Sequence, residues 1–240
     1  MLDHPAVLCT QLARGDLDVA LVSSFEFLRN PIYWIVDDVS ISSAGPVYSV
    51  IVAHTGRAPP RDIELDPASF TSVAMLHYLV NKRGRRFKPI GIAGDILSPL
   101  NKGHARLLIG DQAIGFRQTF GEAYRYWDLG EEWSALEQLP FVYALWLLRP
   151  EVADAKIIAN QLRALRDKNV ANIEELIARE KEFEREFCGR YYREHLHFNF
   201  GKEEKRGLSE FRKRCVQLRL LPGDSLGFET WEMELRRRCV

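Results

Sequence analysis

The sequence predicts an α/β fold whose last third is a set of charged helices, and three observations carry this. In residues 1–150, short apolar runs alternate with helix-like stretches and are punctuated by Gly and Pro, as in layered strands and helices. In residues 151–240, apolar residues recur at helical spacing instead. Charge density changes with the pattern: 14 Lys+Arg and 16 Asp+Glu in the first 150 positions, against 19 and 17 in the last 90.

The elements follow in order. Asp18-Val19-Ala20-Leu21-Val22 is a buried strand, followed by Ser23-Ser24 and a short helix. The turn at Gly45-Pro46 opens a longer β-branched strand over 47–53. The cluster Asp66-Pro67-Ala68-Ser69-Phe70-Thr71-Ser72 runs into a helix over 73–80. Leu107-Leu108-Ile109-Gly110-Asp111 is another strand end, and 141–148 is an aromatic-rich apolar segment before Arg149-Pro150. Helical stripes follow at Ala155, Ile158, Ala159, Leu162 and Leu165, at Ile173, Leu176 and Ile177, and at Leu208, Phe211, Cys215 and Leu218. Asn172 with Glu175 reads as a capping box for the second, and Pro222-Gly223 stops the third.

Composition narrows the function. The 240 residues are 46% hydrophobic, enough for a sizeable core, which excludes disorder for the bulk of the chain. Mean hydropathy is -0.21, and no apolar run approaches the roughly 18 residues of a membrane span, so no membrane partner is expected. The 33 basic and 33 acidic side chains give a formal net charge of zero. That removes the long-range field on which nucleic-acid binding depends and points to a small ligand in a local, shaped site. Cys9, Cys188, Cys215 and Cys239 lie far apart, with no secretory segment in MLDHPAVL, and predict buried, inert thiols in a reducing cytoplasm. A zinc site from Cys188, Cys215, His195 and His197 has an H-x-H spacing that matches none of the usual ligand pairs. Neither metal nor cofactor is expected. Nucleotide-binding, zinc-peptidase and α/β-hydrolase motifs are absent, and nothing in the sequence fixes an oligomeric state.

The polar clusters near strand ends are rich in hydroxyls: Ser23 and Ser24, Ser49 after Tyr48, and Thr71 and Ser72 at a helix start. In open α/β sheets the carboxyl ends of strands form the ligand edge. A helix N-terminus flanked by Ser or Thr stabilises an anion through its dipole and its donors, while plain N-capping by Ser69 or Thr71 is the alternative. The basic run Lys82-Arg83-Gly84-Arg85-Arg86-Phe87-Lys88 reads as a solvated helix end. Trp127, Trp133, Tyr143 and Trp146 read as core, and Glu131-Glu132 as the acidic first turn of a helix.

Six motifs, taken together, resemble a known family. They are Gly15-Asp16-Leu17-Asp18-Val19-Ala20-Leu21-Val22-Ser23-Ser24, Gly45-Pro46-Val47-Tyr48-Ser49-Val50, Thr71-Ser72-Val73-Ala74, Leu108-Ile109-Gly110-Asp111-Gln112-Ala113, Asp128-Leu129-Gly130-Glu131-Glu132-Trp133 and Leu139-Pro140-Phe141-Val142-Tyr143-Ala144-Leu145-Trp146. In this order, over about residues 6–221, the chain resembles the MqnA family of menaquinone biosynthesis, the chorismate dehydratases of the futalosine pathway.

The resemblance implies a two-lobed periplasmic-binding-protein-like fold of the second type. Residues 1–50 would begin lobe 1, 51–145 form lobe 2, and 146–240 return to lobe 1. It implies a lyase that converts chorismate to 3-[(1-carboxyvinyl)oxy]benzoate and water without cofactor. Ser49, Thr71 and Ser72 would hold one carboxylate, Ser23 and Ser24 would approach the rest of the substrate, and Asp111 would cap a helix and shape the cleft floor. No residue is assigned as catalytic base, and the side-chain carboxylate of the substrate can take the proton. Family members begin with a strand and a loop of the form Tyr-Leu-Asn-x-x-Pro, and no residue here matches its Asn. Lobe 1 is therefore expected to lack its first strand, through a misplaced start or a truncated gene. The alternatives are a truncated pseudoenzyme, a non-catalytic module for small carboxylic acids, and a relative of the dihydroxynaphthoate synthases, MqnD, which share the architecture.

Overall fold

The computed structural model describes residues 3, 5–57, 61–66, 69–92, 94–223 and 228–240. Met1, Leu2 and His4 of the opening segment and Pro67 and Ala68 of the 66–72 cluster lie outside them. In chain order the elements begin with α1 (Pro5–Arg14), β1 (Val19–Ser23), α2 (Ser24–Arg29) and β2 (Trp34–Ser43). They continue with β3 (Val50–His54), β4 (Asp62–Leu65), α3 (Phe70–Lys82), β5 (Lys88–Gly91), β6 (His104–Ile109), α4 (Gly110–Phe120), β7 (Arg125–Asp128) and α5 (Leu129–Glu137). Then come β8 (Phe141–Leu148), α6 (Ala155–Ala171), α7 (Ile173–Arg179), α8 (Arg185–Arg190), α9 (Lys202–Gln217) and α10 (Phe228–Arg238).

Residues 1–44 with 139–240 form one unit and residues 45–138 a second. The crossings at 44/45 and 138/139 precede the 50/51 and 145/146 of the sequence reading. The reason is strand pairing: β8 pairs along its length with β1 and β2, and β3 with β6 and β7, so each strand belongs whole to one sheet.

In the first unit the sheet order is β1-β8-β2, with β8 antiparallel to both neighbours. On one face α6 lays Ala155 and Ala159 against Val36, Val39 and Leu148, with Ile158 and Leu162 beside them, so four members of the helical stripe read from the sequence form its packing face, while the fifth, Leu165, is exposed. α9 meets β8 elsewhere, where the Phe211 ring stands edge-on to Phe141 at 4.8 Å. A Cβ on Gly207 would lie 2.0 Å from the carbonyl oxygen of Pro140, so only glycine permits this approach. The N-terminus of α9 is closed by Glu204, whose carboxylate accepts the N–H of Gly201 at 2.8 Å.

In the second unit the order is β5-β4-β6-β3-β7. β4 is parallel to β5 and β6, and β3 is antiparallel to β6 and β7. The β-branched run of β3, inside the sheet between β6 and β7, is buried throughout. One face packs Ile51, Ala53 and Leu108 against Ala113 and Phe116 of α4. Between β4 and β6 lies a buried ion pair: Arg106 Nε donates to Glu64 Oε2 at 2.6 Å, and both residues are 1% exposed. Arg106 Nη1 donates to the carbonyls of Ile96 and Ser98, Nη2 pairs with Glu64 Oε2, and His104 Nδ1 stands 3.0 Å from Glu64 Oε1. No polar group of the pair is left without a partner, which is what makes it tolerable inside.

Three local expectations are corrected. The strand expected from Val47 starts at Val50: Tyr48 sits in left-handed conformation at φ 67°, outside the regular β region. Asn172 does not form the capping box: its side-chain amide donates to Lys168 O at 2.7 Å, closing α6 rather than opening α7. Of the four aromatic residues read as core, Trp133 is fully buried, while Trp127, Tyr143 and Trp146 are half-buried.

Candidate functional site

Strand direction collects the sequence-identified residues of the second unit. β4, β6 and β7 all run toward one edge of the sheet, and β3, being antiparallel, starts there. Ser49 before β3, Thr71 and Ser72 after β4, Asp111 after β6 and Asp128 at the end of β7 therefore share that edge. The carbonyl of Ser49 accepts the N–H of Gly110 at 2.7 Å, which ties it to the start of α4. Ser49, Thr71 and Ser72 are 4 to 5% exposed.

Three helices start from this edge, and they differ electrostatically. α4 carries Asp111 in its first turn and α5 carries Glu131 and Glu132, so the positive ends of both dipoles are already met. α3 has no acidic residue in its first turn, and its N-cap residue, Ser69, makes no side-chain capping bond. Of the three, α3 is the helix whose dipole no acidic residue of its own first turn meets.

Asp111 departs from its expected role. The residue at the N-cap of α4 is Ile109, and Asp111 is the second residue of the helix, exposed and not capping it. The capping aspartate of this edge is Asp128. Its Oδ1 accepts from Glu131 N at 3.1 Å and from Val47 N at 3.1 Å, and its Oδ2 from Tyr48 N at 2.7 Å. Arg117 places its guanidinium 3.7 Å from the centre of the Tyr48 ring and donates to the Tyr48 carbonyl at 3.3 Å. Neither Asp128 nor Arg117 was singled out by sequence reasoning, since their contacts with Tyr48 join residues 80 and 69 positions apart. The left-handed Tyr48 carries no spacing signal at all.

The first unit has a hydroxyl edge of its own. β1 ends at Ser23 and β2 at Ser43, beside the start of β8, since Ser23 is opposite Ala144 and Ser43 opposite Phe141. The Ser24 hydroxyl is fully buried and donates to the Val142 carbonyl at 2.7 Å, so its proton serves the fold. Ser43 Oγ and Tyr143 Oη lie 3.0 Å apart, a pair that two-residue alternation across neighbouring strands produces and that the sequence reading left out. One turn into α2, the buried Glu26 carboxylate is held by Asn30 Nδ2 at 2.9 Å and by Arg29. Burial and the Glu26 charge push the Cys9 thiol up to about 11.

Comparisons with known proteins agree on one family and one fold. The menaquinone biosynthesis family profile matches residues 1–217. A Thermus thermophilus protein named chorismate dehydratase is 30% identical over 191 residues, 72% of this chain and 69% of that protein. Among solved structures, an Archaeoglobus fulgidus protein superposes with TM-score 0.71 at 18% identity, covering 92% of this chain and 86% of that one. The periplasmic aliphatic sulphonate binding protein of Escherichia coli superposes with TM-score 0.60 at 12% identity, covering 98% and 84%. The alkanesulfonate-binding protein of Xanthomonas axonopodis, bound to MOPS, gives 0.59 at 15% identity over 91% and 81%. The fold is that of the periplasmic binding proteins.

Proposed function

The chain belongs to the menaquinone biosynthesis family, and from that premise we propose that it dehydrates chorismate to 3-[(1-carboxyvinyl)oxy]benzoate. The observation that carries the reading to this site is the second unit's edge, where α3 opens without an acidic residue beside the buried Thr71 and Ser72. The Thermus thermophilus relative supplies the name of the reaction.

Chorismate carries two carboxylates. One binds at the start of α3, held by Thr71, Ser72 and Ser49. Charge-assisted hydrogen bonds contribute about 1.5 to 3 kcal/mol each, so a few donors suffice. The C3 proton passes to the substrate's side-chain carboxylate and from there to the departing C4 hydroxyl, which leaves as water, and aromatisation drives the step. The protein's share is orientation: it fixes the carboxylates so that the C3 hydrogen faces the substrate's own side-chain carboxylate, which takes the proton. No cofactor enters this account. The four free thiols, Cys9, Cys188, Cys215 and Cys239, support a reducing, cytoplasmic setting.

Incubation with chorismate, followed by ultraviolet absorbance and mass, tests the reaction. Chorismate converted mole for mole to an aromatic acid one water lighter is the expected result. Chorismate bound without turnover would make the chain a non-catalytic carboxylic-acid-binding module of the same fold. Absence of both binding and product would remove chorismate from the account.

A further inference from the structure

The second unit carries a cavity beside the starts of β4 and β5. β5 starts beside the start of β4, where Lys88 N donates to Arg61 O at 2.7 Å, and the end of α3 arrives at the same place. A cavity of about 560 Å³ lies here, lined by Arg61, Arg83, Arg85, Arg86, Phe87 and Trp127 over an apolar base of Ile63 and Val80.

Only one of the four arginines is neutralised. Arg83 forms a two-pronged pair with Glu132, at 3.0 and 2.6 Å, and lies 4.4 Å over the Trp127 ring. Arg61, Arg85 and Arg86 have no acidic partner among the described residues. A helix end carries about half a negative charge, which Lys82 and Arg83 already meet. Capping of α3 therefore leaves three guanidinium groups unexplained, in a chain whose net charge is zero. Guanidinium forks match the oxygens of a phosphate, and an aromatic wall suits a flat ring. The cavity volume falls within the range of small-molecule sites.

We propose that this cavity binds a nucleoside diphosphate, with the phosphates on Arg61, Arg85 and Arg86 and the base against Phe87 and Trp127. The site is separate from the Thr71 edge and does not depend on the reaction assigned there. Both the phosphates and the ring contribute, so a ligand that carries only one of them binds more weakly.

Calorimetric titration of the full chain with ADP, inorganic pyrophosphate and adenosine tests this. ADP is expected to bind one to one, more tightly than either of the others. In the Arg85→Gln/Arg86→Gln variant, both of whose side chains are exposed, the Kd for ADP should rise about tenfold or more while Tm stays unchanged. Trp127→Leu should weaken ADP and leave pyrophosphate unaffected. Excess chorismate should leave the ADP titration unchanged, which keeps this site distinct from the proposed substrate edge. The proposal is overturned by ADP binding no tighter than sulfate at equal ionic strength, or by unchanged ADP affinity in the double variant. Displacement of ADP by chorismate also overturns it, as does a single-stranded oligonucleotide that outcompetes ADP, which would assign the arginines to a nucleic acid.

Discussion

The carboxylate of Asp128 accepts the backbone N–H of Tyr48 at 2.7 Å, and Tyr48 at that point is in left-handed conformation, φ 67°. One side chain thus caps α5, through Glu131 N, and fixes the turn that brings Ser49 to the start of β3. Left-handed backbone at a bulky residue costs about 1 to 2 kcal/mol, and the Asp128 bonds with the Arg117–Tyr48 stack offset it.

Asp128→Ala removes an acceptor from three N–H groups. The expected loss is about 3 kcal/mol of unfolding free energy, read by urea denaturation. A loss below about 1 kcal/mol, the size of a simple cap, would show that the turn at Tyr48 holds without it.

Glu64→Gln leaves the guanidinium of Arg106 buried without its counter-charge. Breaking a buried pair from one side costs about 3 to 5 kcal/mol. Glu64→Gln/Arg106→Met should recover part of this, since no charge is left inside. Additive losses in the double-mutant cycle would contradict the pairing.

Gly207→Ala adds a methyl where the Pro140 carbonyl oxygen is 2.0 Å away. Because the obstacle is backbone, α9 must move off β8. A Tm drop equivalent to about 1 to 3 kcal/mol is expected despite the better helix propensity of Ala. An unchanged or raised Tm would mean that the helix repositions freely.

Much of this fold is legible in the sequence, and the reasons are local. Asp18 to Val22 reads as a strand because an apolar run of that length between turn residues leaves little choice, and Ala155, Ile158, Ala159 and Leu162 announce the packing face of α6. The hydroxyl clusters at strand ends were visible for the same reason. What escaped depends on tertiary contact. Asn172 has the residue type of an N-cap, but the chain places it where the end of α6 takes its amide. Asp111 has the type and position of a cap, but α4 starts two residues earlier, directly from β6. Asp128, Arg117, Glu26 and the Ser43–Tyr143 pair acquire their roles from partners distant in sequence or from burial, which no spacing encodes.

Stability should decline at both ends of the pH scale. Burial holds His54 and His77 below the ordinary 6.5, so the unfolded chain takes up protons that the folded chain refuses. Their contribution is fully present above pH 6.5 and is lost as pH falls below it. Burial pushes the thiols of Cys9 to about 11 and of Cys215 and Cys239 to about 12, with the Asp37 charge adding to the last. Their contribution is present below 9.0 and is lost as pH rises from there toward 12. Tm measured against pH should show a flatter acid limb in His77→Leu and a flatter alkaline limb in Cys215→Ala. Limbs identical to the parent would contradict this.

The central claim is that α3 opens onto a substrate carboxylate through Thr71. It is tested most directly by measuring chorismate affinity and Tm on the same Thr71→Ala protein. Loss of one charge-assisted bond, about 1.5 to 3 kcal/mol, predicts a Kd raised about tenfold or more with Tm nearly unchanged. A Tm lowered by the equivalent of about 0.5 to 2 kcal/mol with chorismate affinity unchanged would make Thr71 a capping residue and take the site away from this edge.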